Sequence, residues 1–195
     1  MKAYKDFLVS PVGERYNNSK KVGKKELILN TEIYNHQFVN RLAKVIATPL
    51  LFSSPINVGD EVIVHHNVFR RWHDVKGRER NSRSYLDDGR YLVSEDQIYL
   101  YKQGDWKTTP GFSLIKPLTS KDKFSLDNER PSIGVIKYTD GEFKKEELVG
   151  FRPGIECEDF INGERLYRVL NKFITIKYEY QGNEEEYNPS WAQGG

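Results

Sequence analysis

Four short apolar blocks of this chain recur in the same order, and that pattern constrains the fold more than any other feature. Phe7-Leu-Val-Ser-Pro11-Val12 resembles Ser113-Leu-Ile-Lys-Pro117-Leu118, and Lys44-Val45-Ile46 resembles Gly134-Val135-Ile136. Val58-Gly59-Asp60-Glu61-Val62 resembles Pro153-Gly154-Ile155-Glu156-Cys157, and residues 93–100 resemble residues 169–176. The offsets are 106, 90, 95 and 76 residues, so the copies differ by insertions between blocks. Insertions confined to loops are what a duplicated β domain tolerates. The blocks themselves are short, rich in Val, Ile, Leu and aromatics, and bounded by Gly, Pro and Asn-Asp turns. Leu42–Ala47 reads as a half-buried strand, with one charge in an apolar run. No segment keeps a 3.6-residue apolar period over several turns, so the chain is expected to be all-β. The expected units are 1–103 and 104–182, followed by a polar tail over 183–195.

Composition supports small β units. Hydrophobic residues make up 37% of the 195 and charged residues 30%, the balance of domains with much surface for their core. Met1 is the only methionine, while there are twelve Tyr and ten Phe, so aliphatic and aromatic residues must fill the interior. The net charge of +2 is too small to name a partner, but it is unevenly divided. Residues 1–103 carry 17 Lys and Arg against 12 acids, and the remainder 13 against 16. Cys157 is the only cysteine, which excludes an intrachain disulfide. Its alignment with Val62 predicts a core position. The N-terminus lacks an apolar signal core, and no apolar run approaches the length of a membrane span. A soluble, cytoplasmic protein without a membrane partner is the expectation.

The first copy resembles the GroES family of ten-kilodalton co-chaperonins. Lys5-Asp6-Phe7-Leu8-Val9 stands where that family has its opening Asp-Arg-Val-Ile-Val strand. Leu27-Ile28-Leu29, in a Lys-rich polar segment, stands where it has the apolar tripeptide of a mobile loop. Ala43–Ala47 resembles the strand that follows, and Val58-Gly59-Asp60-Glu61-Val62-Ile63 resembles the family's Val-Gly-Asp-x-Val-Ile. Residues 92–100 resemble its last block. The likeness covers about residues 5–102, and 112–178 more weakly. It departs in three places: Lys25-Glu26 replaces the loop glycines, Thr48–Pro55 is a shortened roof hairpin, and 67–90 is longer than usual. Such divergence is more like that of phage-encoded co-chaperonins, whose compartment would be the host cytoplasm.

The resemblance implies two tandem GroES-like small β-barrels in a homo-oligomeric ring, heptameric in the family. It implies a non-enzymatic lid for a GroEL-type chaperonin, assisting ATP-dependent folding of an unfolded client in the chamber. A mobile docking loop over about 14–36 would present Leu27, Ile28 and Leu29 to an apolar groove. The local alternative is that this triplet is an ordinary core strand. The second copy's loop, 119–132, holds Phe124 and Leu126 but no triplet, and reads as a plain surface loop.

Two rival readings remain, a nucleic-acid-binding β-barrel protein and a structural virion protein that kept the fold. The first would use residues 67–90, where Arg70, Arg71, Lys76, Arg78, Arg80, Arg83 and Arg90 are interleaved with Phe69, Trp72 and Tyr85. The bland reading of that stretch, a solvated loop, weighs against nucleic acid as a partner. His65, His66 and His73 lack metal-site spacing, and adjacent histidines on a strand would face opposite ways. No nucleophile-base motif or phosphate-cradling glycine loop is present, so no catalysis, cofactor or metal is expected.

Overall fold

The computed structural model describes residues 2–16, 39–121 and 128–189, together with the backbone strands 19–22 and 25–28. The described residues contain strands and short 3-10 turns, with no α-helix. The chain divides into two compact units, Met1–Asp105 and Trp106–Gly195.

The first unit runs β1 (Phe7–Pro11), β2 (Ser19–Val22), β3 (Lys25–Ile28), β4 (Leu42–Ala47), β5 (Glu61–Val64), β6 (Arg71–His73), β7 (Glu79–Asn81), β8 (Tyr85–Asp87), β9 (Arg90–Val93) and β10 (Ile98–Gln103), and β11 (Asp105–Thr108) begins at its final residue. Seven of these form one sheet in the order β11-β10-β5-β4-β1-β9-β8, while β2-β3 and β6-β7 are separate hairpins. The rest of the chain supplies β12 (Phe112–Thr119), β13 (Glu129–Thr139), β14 (Leu148–Phe151), β15 (Cys157–Ile161), β16 (Glu164–Leu170) and β17 (Ile174–Tyr178), in the order β15-β16-β12-β13-β14-β17. Neither sheet closes on itself among the described strands, so the expected barrels are open sheets with free edges.

The two units follow one plan. Six strands of the first, β10-β5-β4-β1-β9-β8, match the whole order of the second strand for strand. The pairings agree residue by residue. Val9 faces Val45 and Tyr91, and Ile115 faces Ile136 and Tyr167. A bulge falls between Leu8 and Val9, and another at the matching step between Leu114 and Ile115. A second pair of bulges sits where β5 meets β10 and where β14 meets β17. Each bulge bends its strand and adds twist, so both sheets curve at the same points. A 3-10 turn precedes the last strand in each, at Glu95–Gln97 and Asn171–Phe173. The hairpins β8-β9 and β15-β16 turn on Asp88-Gly89 and Asn162-Gly163, all with positive φ (39° and 73°, 54° and 76°). That is the turn whose twist suits antiparallel strands.

This register corrects two of the sequence matches. Val45 corresponds to Ile136, an offset of 91 rather than 90, and Val62 corresponds to Val149, an offset of 87 rather than 95. The decoy has a physical cause. Gly59 takes a left-handed φ of 95° in the turn entering β5, and Glu146 takes 64° at the equivalent place. The Gly59 N–H donates to the Val45 carbonyl at 2.8 Å, and the Glu146 N–H donates to that of Ile136 at 2.8 Å. A glutamate thus fills the glycine position, and the nearby Pro153-Gly154 drew the alignment away. Cys157 is therefore not a core residue: it lies exposed on the edge strand β15. Residues 185–188 of the polar tail lie against β12. The Thr119 N–H donates to Glu185 and the Tyr187 N–H to Pro117, along β12. Asn188 accepts from the Lys116 ammonium at 3.0 Å.

The cores repeat as well. Val9, Val45, Val62, Val64, Tyr91 and Val93 pack in the first, and Ile115, Ile136, Val149, Phe151, Tyr167 and Val169 in the second. The two tyrosines differ only in their hydroxyls. Tyr167 donates to the Glu129 carboxylate and accepts from Arg165 at 2.8 Å. Burial, then Glu129, pushes its phenol well above the usual range. The Tyr91 hydroxyl is buried with no hydrogen-bond partner among the described residues. Tyr167→Phe should cost about 1–3 kcal/mol by stripping a buried network, whereas Tyr91→Phe should cost nothing or stabilise. Urea unfolding of the two variants checks this, and equal losses would contradict it.

Candidate functional site

Between β1 and β4 the first unit clamps two stretches of chain together, 12–16 and 39–42. Tyr16 and Val39 form an isolated antiparallel bridge, and both are buried in the core. The Asn40 N–H donates to the Arg15 carbonyl at 2.9 Å. The Asn40 side-chain amide donates to the carbonyls of Val12 and Glu14, each at 2.7 Å, and its oxygen accepts from the Leu42 N–H at 3.0 Å. Arg15 reaches across to the Phe69 carbonyl at 2.8 Å. These contacts tie the two chain crossings together through their backbone groups.

Residues 17–38 span this base. The polar run expected to be strand-free is paired in part: β2 meets β3 with Ser19 opposite Ile28, Lys20 opposite Leu27 and Val22 opposite Lys25. Backbone pairing needs only N–H and C=O groups, so a polar strand can pair without an apolar pattern of its own. Leu27 and Ile28 thus lie in β3, on a hairpin apart from the main sheet. Leu29 lies outside the described residues, as do Phe124 and Leu126 of the second unit's loop.

A second apolar feature was not foreseen. In the turn after β4, Leu50 and Leu51 are 56% and 63% exposed, and Phe52 is partly exposed beside them. They are held there. The Leu50 N–H donates to the Ala3 carbonyl and the Leu51 N–H to that of Tyr4, both at 3.0 Å, while Pro49 bridges Ala3. Phe52 packs edge-on against buried Phe7, with ring centres 6.2 Å apart. Its signal was Leu-Leu-Phe between Pro49 and Pro55, three consecutive apolar residues in a turn.

The histidine pair also differs from expectation. His65 and His66 lie in a turn after β5, and their rings stack at 4.1 Å instead of facing opposite ways. Among the described residues, no three His, Cys, Asp or Glu side chains gather as metal ligands. No described helix is long and apolar enough to cross a membrane. No known family model matches the chain, and no curated protein matches it.

The pinned turn makes a direct expectation. Leu51→Ser should leave the thermal midpoint unchanged, because exposed substitutions away from special contacts stay within about 0.5 kcal/mol. It should lower the fluorescence of a bound hydrophobic dye such as ANS. A midpoint that falls markedly would place Leu51 in a packed environment instead.

Proposed function

We propose that the chain is a co-chaperonin of the GroES type, a lid for a chaperonin ring. One observation carries this reading. A small β unit bridges Tyr16 to Val39, and the sequence between them bears Leu27-Ile28-Leu29 where the resemblance puts the docking tripeptide. In this reading each curved open sheet stands for one GroES-like barrel of a tandem pair. Copies assemble as a ring, and an unfolded client occupies the chamber beneath. The first unit docks, because only its segment has an apolar triplet, while the second enlarges or steadies the lid. ATP hydrolysis belongs to the partner.

The energetics suit such a lid. Three buried aliphatic side chains contribute roughly 1.5–3 kcal/mol each before costs. Ordering the segment on binding takes back about 2–5 kcal/mol or more. One loop alone binds weakly, and a ring of linked loops binds strongly by effective concentration. Docking then responds steeply to a change in the partner's groove, which is the behaviour a nucleotide-gated lid requires.

The test is co-elution of the chain with a GroEL-type ring by size exclusion, with and without nucleotide. The wild-type chain should co-elute only with nucleotide present. Ile28→Asp should abolish co-elution while leaving the circular dichroism and thermal midpoint unchanged. An Ile28→Asp variant that still docks and still stimulates refolding would remove the triplet from the mechanism. A wild-type chain that never docks would remove the lid.

A further inference from the structure

The first unit carries an arm that the shared plan does not need. Where the second unit joins β14 to β15 through residues 152–156 alone, the first inserts the hairpin β6-β7 between β5 and β8. Its root is fixed. Val68 and Phe69 are fully buried in the core, and the Ser82 hydroxyl donates to the Val68 carbonyl at 2.5 Å. Arg15 holds the Asn81 side chain at 2.9 Å. One face of the hairpin turns to the body: the Arg71 guanidinium sits 4.9 Å from the Tyr16 ring centre, and the Arg71 backbone N–H donates to the Tyr16 hydroxyl at 2.6 Å.

The other face is open. Trp72 lies directly opposite Arg80, so the two share it. The Trp72 indole N–H donates to the Asn81 carbonyl at 3.2 Å, which ties the ring to the hairpin although the side chain is half exposed. Asp74 closes the tip by accepting from the N–H groups of Lys76 and Arg78 and from the Arg80 side chain. The Arg78 amide, first among these contacts, holds the Asp74 carboxyl below its ordinary value, so Arg80 stays anchored beside the indole. Arg70, Lys76, Arg78 and Arg83 have no side-chain partner among the described residues and leave an excess of positive charge along the arm.

We infer that this arm is a binding surface for single-stranded nucleic acid, with Trp72 as the stacking platform and Lys76, Arg78 and Arg80 as phosphate contacts. An aromatic face among cations on a β surface is the arrangement that binds single strands without sequence preference. A duplex keeps its bases stacked and offers the indole nothing. An anionic bilayer would attract the same cations, but the one indole is tied along the hairpin rather than free to enter the headgroup region. The inference rests on the arm alone and is independent of the lid reading.

The experiment is fluorescence anisotropy of the full chain with labelled oligothymidine of about 15 nucleotides, a span matched to one small β-domain. A matching duplex and phosphatidylserine-containing vesicles are run alongside. Oligothymidine should bind best, and its affinity should fall with salt at a log–log slope of about −2 to −3, from about 0.7 per phosphate neutralised. Trp72→Ala should weaken binding about tenfold. Trp72→Phe, which keeps an aromatic face but loses the indole donor, should retain most of it. Joint Lys76→Gln and Arg78→Gln should weaken it and reduce the salt slope by about 1.4. Absence of binding, binding indifferent to Trp72→Ala, equal loss in Trp72→Phe, or binding to vesicles alone would each overturn the inference.

Discussion

Each unit depends on the pairing of its first strand on both edges. β1 joins β4 on one side and β9 on the other, and β12 joins β13 and β16. These are pairings between residues far apart in sequence, so the chain must close long loops before either sheet gains its core. Phe7, Leu8 and Val9 are all buried, as are Leu114 and Ile115, which is what a central strand covered on both faces demands. A slip of one residue here would carry Val9 and Ile115 out of their cores. The bulge beside each of them, repeated at the same step, belongs to the shared plan and reads as a built feature.

The loops vary because the plan leaves them free. The same frame holds a clamped segment with a hairpin after β1, a pinned apolar turn after β4 and a charged arm after β5. The second unit keeps the frame and drops the arm. Residues 185–188 lie along its β12 instead, with Asn188 held by Lys116 and the Arg165 N–H. Burial, opposed by Glu164, lowers the Lys116 ammonium from its ordinary value, the cost of placing that charge beneath the returning chain.

Arg15 connects two of the outward features. Its guanidinium reaches the Phe69 carbonyl and the Asn81 side chain, while its own carbonyl receives the Asn40 N–H. The base of the 17–38 segment and the root of the β6-β7 arm therefore share one residue. A planar, permanently charged fork can serve several acceptors at once in a fixed geometry, which lysine could not do.

The sequence by itself determined the class of structure and the existence of two units. Short β-competent runs without a helical period left no other class, and four ordered blocks implied a duplication. The first and last blocks, at offsets of 106 and 76, agree with the strand register. It also singled out Leu27-Ile28-Leu29 and the cationic stretch as unusual. Only the tertiary structure decided the middle registers, because Glu146 occupies a left-handed position that sequence reading reserves for glycine, and surrounding hydrogen bonds hold it there. The same cause misplaced Cys157. The Asn40 clamp, the exposed Leu50 and Leu51, and the pairing of Trp72 with Arg80 depend on which distant residues meet. Local propensity carries no record of such meetings; the closing of the sheets creates them.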